Sequence, residues 1–185
     1  MAINEHHQNE RDPVVSSGNM QQPVYDVRVA TLSDVSDIVA LQGANLVGNG
    51  GSLSVAFPAA WFEMVVREMP VVIARRGGAL AGYLVASSRA HGRGQPLIEA
   101  KFAAYRGAED AYNSGPLCIA EGERGRGLAL ALMDAQLRHL PGREGVAFIR
   151  LDNAASRATH ARAGYRDVAT FTHAGVAYVA VARPG

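Results

Sequence analysis

Residues 25–30 alternate apolar and polar positions, the period-two mark of a half-buried strand. The period then lengthens. Thr31-Leu32-Ser33-Asp34 has capping-box spacing with Thr31 as N-cap, and a helix from there turns Leu32, Val35, Ile38, Val39 and Leu46 toward a core. Gly48-Asn49-Gly50-Gly51 breaks it. A second helical stretch covers 57–69 and groups Trp61, Phe62 and Val65 on or near one face, which predicts core packing. Two apolar runs at 71–74 and 80–86, joined through Arg75-Arg76-Gly77-Gly78, predict a hairpin. The connection at 87–114 departs from this rhythm. It holds Gly92-Arg93-Gly94 and a short helical pattern at 97–105, and a link this long in a compact domain is expected to be functional or mobile. After it come a short apolar strand, a glycine-rich turn and a helix running to about His139. A strand at 146–151 leads through Asp152-Asn153 into a helix ending at Gly164-Tyr165. Two last strands, 167–172 and 176–182, turn at His173-Ala174-Gly175. The alternation predicts an α/β domain without internal repeats.

Composition sharpens this picture. With 185 residues, 48% hydrophobic and 19% charged, the chain suits one packed domain at 23–185 behind a polar tail at 1–22. His6 and His7 are adjacent, yet they sit in that tail with no further ligand nearby in sequence. A net charge of +1 gives no basic field for nucleic acid. No apolar run reaches the ~20 residues of a membrane helix. The first 22 residues lack a secretory h-region, and the one cysteine agrees with a reducing compartment. The expectation is a soluble, cytoplasmic protein without nucleic-acid or membrane partner and without a metal.

The candidate chemistry lies in Gly115-Pro116-Leu117-Cys118-Ile119-Ala120-Glu121-Gly122-Glu123-Arg124-Gly125-Arg126-Gly127-Leu128-Ala129. Unpaired N–H groups at a helix start, together with the helix dipole, make an anion site. Gly125 and Gly127 let a ligand approach the backbone, and Arg124 and Arg126 add positive charge suited to phosphate. A P-loop is excluded, because no Gly-Lys-Ser or Gly-Lys-Thr occurs. A dinucleotide fingerprint fails because Leu130 stands where its third glycine belongs. What fits is R-x-x-G-x-A, as Arg124, Gly127 and Ala129. Here the chain resembles the GNAT superfamily of acyl-CoA-dependent N-acetyltransferases, whose signature is Q/R-x-x-G-x-G/A at a strand-to-helix turn. The block from Val146 to Tyr165 resembles the family's second motif, in which an Asn follows the fifth strand and a helix ends in Gly-Phe or Gly-Tyr. The two blocks cover roughly the C-terminal half.

The resemblance implies a mixed, twisted central sheet with splayed fourth and fifth strands and helices on both faces. It implies transfer of an acetyl group from acetyl-CoA, as co-substrate, to a primary amine by direct attack. The acceptor would be a small molecule or a peptide. Homodimers are common among relatives, but no feature of this chain demands one. The backbone of Arg124, Gly125, Arg126, Gly127, Leu128 and Ala129 would hold the pyrophosphate, and Ile119 would pair with the pantetheine amides. Asn153, with Ser156 on the same helix, matches a position that contacts the pantetheine arm, while its residue type equally suits an N-cap. In this family Trp61 and Phe62 fall near the acceptor site, and the long connection is expected to help shape it.

Two positions depart from the pattern. Relatives carry a thiolate-protonating Tyr four residues before the helix-ending glycine, and here that residue is His160. Relatives also place a Glu early in the fourth strand, and the matching stretch at 111–114 has none. Glu99, Glu121 and Asp152 remain as candidate bases. Cys118 is expected to be a buried small hydrophobe rather than a nucleophile. His139 suits a helix C-terminus, and His91 and His173 are expected in surface loops. The departures keep two other readings open: a non-catalytic acyl-CoA-binding or sensing module, and a cradle for a different nucleotide.

Overall fold

A computed structural model describes residues 24–185. The expected tail at 1–22, with His6 and His7, lies outside the described residues. The chain runs β1 (Asp26–Val29), α1 (Val35–Ala44), α2 (Ala59–Glu68), β2 (Val71–Arg76), β3 (Ala79–Ser87), α3 (Pro96–Ala104), β4 (Tyr112–Ile119), α4 (Leu128–His139), β5 (Gly145–Arg150), α5 (Ala154–Arg162), β6 (Arg166–His173) and β7 (Val176–Arg183). The seven strands form one sheet in the order β1-β2-β3-β4-β5-β7-β6. Every neighbouring pair is antiparallel except β4 and β5, which are parallel.

Strand alternation splits the core into two layers. Val72 and Ala74 of β2 face Leu128, Leu132 and Met133 of α4. Val71 and Ile73 face Ile38 of α1 and Phe62 and Val65 of α2 on the opposite side. Helices therefore cover both faces, as the sequence implied. The hairpin at Gly77-Gly78 has both glycines at positive φ, 57° and 82°, where a Cβ is disfavoured.

The first helix starts as its capping box predicts. Asp34 accepts the Thr31 N–H at 2.8 Å and is forked by Arg28 at 2.8 and 2.9 Å. Arg75 reaches the same buried carboxylate at 2.9 Å. These donors, Arg28 foremost, hold the Asp34 carboxyl well below the usual carboxylate range against the opposing effect of burial. Two positions differ from the sequence reading. A 3-10 turn, Leu32–Asp34, precedes α1, so Leu32 points outward and is 47% exposed. Helix α1 ends at Ala44, so Leu46 follows it in an extended conformation and is half-buried.

The long connection is anchored by side chains. Lys101 of α3 is fully buried, and its Nζ donates to Asn113 Oδ1 and to Val146 O, each at 2.7 Å. It thus bridges the last paired rung of β4 and β5. Burial, with Arg89 adding to it, pushes the amine pKa well below its usual value. His91 is buried, not a surface loop residue as expected. Its Nδ1 accepts the Ser88 N–H at 3.1 Å, so the proton sits on Nε2, 2.9 Å from Glu68 Oε2. Trp61 Nε1–H donates to the His91 carbonyl at 3.0 Å and its ring stacks on Phe57 at 4.0 Å, which makes Trp61 a core residue. His173 also differs from expectation: it closes β6 and is half-buried. Among the described residues, no helix is long and apolar enough to cross a membrane.

Candidate active site

The site begins where the sheet parts. Strands β4 and β5 pair only at Tyr112 with Gly145 and at Asn113 with Val146. Beyond that rung β4 stays on β3 as far as Ile119 opposite Gly82, and β5 stays on β7. The Ala120 N–H bonds to Ala81 O at 2.9 Å. By the alternation of an antiparallel ladder, the Ile119 N–H and C=O then face away from β3, toward the gap.

At one end of the gap stands the start of α4. Gly127 is its N-cap at φ 79°, and Gly125 lies at φ 74°. A Cβ built on either would meet nothing within 4 Å, so the turn needs glycine for its left-handed backbone and leaves open space in front. The Leu130 and Ala131 N–H groups, at 3.1 and 3.2 Å from Gly127 O, are the first to close the helix. The N–H groups of Leu128 and Ala129 precede them and have no intrahelical carbonyl to reach. The two arginines differ: Arg124 lines the cavity in front of α4 and Arg126 does not. Arg124 is tied to Asn45 Oδ1 and, at 3.3 Å, to Ile119 O. Arg126 turns back to Gly122 O at 3.1 Å.

That cavity, about 490 Å³, is walled by Ile119, Arg124, Gly125, Gly127, Leu128 and Ala129, with Asn153 and Ser156 opposite. A narrower space of about 110 Å³ lies in the gap proper, between Asn113, Ser114, Phe148, Arg150 and His160. Leu117, Asn153 and Ser156 line both, so the two form one groove. Asn153 does cap α5: its Oδ1 accepts the Ser156 N–H at 3.0 Å. A third space of about 250 Å³ continues past Ser54, Val55, Phe57 and Ile98, which it shares with the gap. Residues 95–98 of the long connection form part of its wall.

His160 sits at the inner wall, 6% exposed, edge-on to Tyr165 with centroids 5.1 Å apart. Its Nδ1 lies 2.9 Å from Ser156 O. A carbonyl only accepts, so the neutral ring carries its proton on Nδ1 and Nε2 is a bare acceptor. Burial pushes the imidazole pKa below its usual value near 6.5, against a smaller opposing effect of the Ser156 carbonyl. The neutral form therefore dominates at pH 7.

The three carboxylates proposed from sequence stand elsewhere. Glu99 is exposed in the first turn of α3 and accepts the Gly94 N–H at 2.9 Å. Glu121 opens an exposed 3-10 turn between β4 and α4. Asp152 is exposed and gripped by Arg150 at 2.6 and 3.0 Å, which lowers its pKa and its strength as a base. None of the three lines the groove. Cys118 is buried and pushed up to about 12 by desolvation, in keeping with a packing role. His139 ends α4, as expected. Among the described residues, no group of three or more His, Cys, Asp or Glu is gathered to hold a metal.

Sequence reasoning missed Asn113 and Ser114. Asn113 Nδ2 donates to Ser87 Oγ at 3.1 Å and to Gly115 O at 2.8 Å. Ser114 donates to Gln136 Oε1 at 2.7 Å and so accepts from the Tyr165 hydroxyl at 2.9 Å. The available signal was two consecutive polar residues at the head of an otherwise apolar strand.

The acetyltransferase (GNAT) family matches residues 49–165. No curated protein matches the chain in sequence. Three solved structures share the fold. The protein yncA of Salmonella typhimurium, solved with its cofactor acetyl-CoA, superposes with a TM-score of 0.66 at 16% identity over 87% of this chain and 94% of its own. An N-acetyltransferase of Staphylococcus aureus Mu50 gives 0.64 at 19% identity, over 87% and 98%. The ribosomal-protein-alanine N-acetyltransferase of Brucella melitensis gives 0.64 at 21% identity, over 86% and 99%.

Proposed function

The chain belongs to the acetyltransferase (GNAT) family, and from that premise we propose that it transfers an acetyl group from acetyl-CoA to the primary amine of a small molecule. One observation carries this reading. A single groove joins unpaired main-chain N–H groups at the α4 start to a buried imidazole whose Nε2 is free to accept.

The residues suit the co-substrate. Gly125, Gly127, Leu128 and Ala129 offer an open, positively polarised backbone to a pyrophosphate. Arg124 lends charge at the rim, and Arg126 acts at longer range. The free edge of β4 offers the Ile119 N–H to an amide carbonyl, its C=O being already engaged by Arg124, and Asn153 and Ser156 line the opposite wall. When bound, acetyl-CoA supplies an activated carbonyl, and the amine nitrogen bonds to it as the carbon–sulfur bond breaks.

The chain's own chemistry then centres on one proton. An amine that enters as ammonium must release one proton to solvent and, on attack, a second that ends on sulfur. His160 Nε2 takes up that second proton and returns it to the leaving sulfur. Nδ1–H stays on Ser156 O throughout and fixes the ring. This makes His160 a base first and an acid second. We assign neither step to Glu99, Glu121 or Asp152, because none lines the groove and Asp152 is held ionised by Arg150.

Release of CoA thiol from acetyl-CoA, followed across amines, amino acids, polyamines and peptides, tests the reading. Acceptor-dependent release supports transfer. CoA binding without release for any acceptor would instead favour an acyl-CoA-binding module, the reading that the missing tyrosine keeps in play.

A further inference from the structure

The third space of the groove has walls that are more apolar than polar. Val55, Phe57, Pro96, Leu97, Ile98 and Tyr178 supply most of its surface, and Ser54, Gln95 and His173 supply the polar part. Among the described residues, no carboxylate lines it or the gap it opens into. Its floor is rigid. Tyr178 is 5% exposed, stacks on Phe171 at 5.3 Å between centroids and meets Phe148 edge-on at 5.7 Å. Phe57 stacks on Trp61 at 4.0 Å and meets Phe62 edge-on at 6.2 Å. The far wall belongs to α3, whose position is pinned by the buried Lys101.

We infer that this space receives the acceptor, and that the acceptor is a primary amine on a compact apolar body, aromatic or branched, carrying no second cation. The inference rests on the proposed transfer reaction, since it takes the gap at His160 as the reacting end.

The chemistry excludes the alternatives in turn. A polyamine would bring a second ammonium into a cavity of about 250 Å³ that has aromatic and aliphatic walls and no counter-charge. Burying that charge unpaired costs more than the apolar contacts return. A lysine- or arginine-rich peptide meets the same obstacle. An apolar amine gains on both counts, because its body desolvates against Phe57, Ile98 and Tyr178 while its single amino group reaches the polar gap of Asn113, Ser114 and His160.

Two probes decide it by equilibrium binding to the CoA-loaded protein, with no turnover required: phenethylamine and spermidine, both followed calorimetrically. Phenethylamine is expected to bind at least about tenfold more tightly than spermidine, the contribution of one buried aromatic body. Val176→Asp places a carboxylate on the cavity wall at the half-buried start of β7. It is expected to weaken phenethylamine about tenfold and to narrow or reverse the preference. Val55→Asp, on a loop at the opposite wall, gives the same readout should the β7 variant fold poorly. Tighter binding of spermidine, or phenethylamine affinity unchanged in both variants, overturns the inference. The two readings fail separately. Phenethylamine bound here without thiol release would sink the transfer reaction and leave the pocket. Thiol release with spermidine and no phenethylamine binding would sink the pocket and leave the transfer reaction.

Discussion

The two ends of the groove use polar groups in opposite ways. At the α4 start the polarity is main-chain, exposed and unspent: first-turn N–H groups face a cavity across a glycine turn with open space in front. At α3 the polarity is a side chain, fully buried and already satisfied, since Lys101 gives its hydrogens to Asn113 Oδ1 and Val146 O. Both sites are cationic in residue type or in dipole, yet only the first has anything left to offer a ligand. A buried amine is therefore not by itself a binding group; what separates binding from construction is whether the chain itself supplies the partner. His160 stands between these cases. One ring nitrogen is spent on Ser156 O and the other is free.

The hardest test of that division is at His160. His160→Ala is expected to lower kcat by about 10²–10⁴-fold, the usual worth of a positioned proton-transfer group, with CoA affinity unchanged within about twofold. His160→Tyr discriminates further. A tyrosine there could protonate sulfur but is a poor acceptor from an amine at pH 7, so it restores activity only if the residue acts mainly as an acid. The pH profile carries the same information. Burial lowers the His160 pKa, so once the acceptor's own loss of a proton is factored out, the activity that requires bare Nε2 holds at pH 6.5 and is lost as pH falls through that lowered value. A rate that rises toward low pH would contradict the base assignment.

The opposite end predicts a different signature. Gly127→Val forces a β-branched residue into φ near 79°, which costs about 1–2 kcal/mol in the free protein. Turning even one or two charge-assisted N–H bonds away from a phosphate should weaken CoA binding by about tenfold to a hundredfold. Arg126→Ala is the matched control: its guanidinium bonds Gly122 O rather than facing the cavity. Isothermal titration with CoA that found the arginine variant more damaged than the glycine variant would mean that side chains, not backbone, build the cradle.

These two ends also differ in how well the sequence announces them. The candidate cradle at the α4 start is contiguous, from Arg124 to Ala129, so its spacing and the family resemblance are enough to propose it from sequence. Asn153 is equally readable, because an N-cap acts within its own turn. The succession of strands and helices along the chain followed from apolar patterning and turn residues, and the sheet with its parted β4 and β5 from the family resemblance. The α3 wall was illegible for a physical reason. Lys101 reaches Val146, 45 residues on, and nothing local distinguishes a lysine folded inward from one pointing to solvent. His91 misled in the same way, since its burial depends on Glu68 and Trp61 far upstream. Leu32 failed on a finer scale: a 3-10 turn ahead of α1 shifts the helical phase and sends it outward.

Lys101 gives the smallest and most delicate test. A neutral amine has two hydrogens, and the site offers two acceptors, Asn113 Oδ1 and Val146 O, with the Phe102 ring 3.9 Å away. Lys101→Met keeps the volume and removes the desolvated amine, but it strands both acceptors at about 1–3 kcal/mol each. At one pH these effects oppose, so the sign of the difference decides little. The pH slope is cleaner. The native amine has a lowered pKa, so above it the unfolded chain binds the extra proton and stability rises with pH until the unfolded amine titrates. Urea unfolding should show the wild type gaining on Lys101→Met between pH 7.5 and 9.5, by up to about 1.4 kcal/mol per pH unit. CoA affinity should stay within about twofold, because the hydrogens at Nζ are committed inside the fold. Parallel pH curves would mean that the amine stays charged. A large loss of CoA affinity would mean that α3 and α4 are coupled through the splayed strands, and that the division between binding and construction does not hold in this groove.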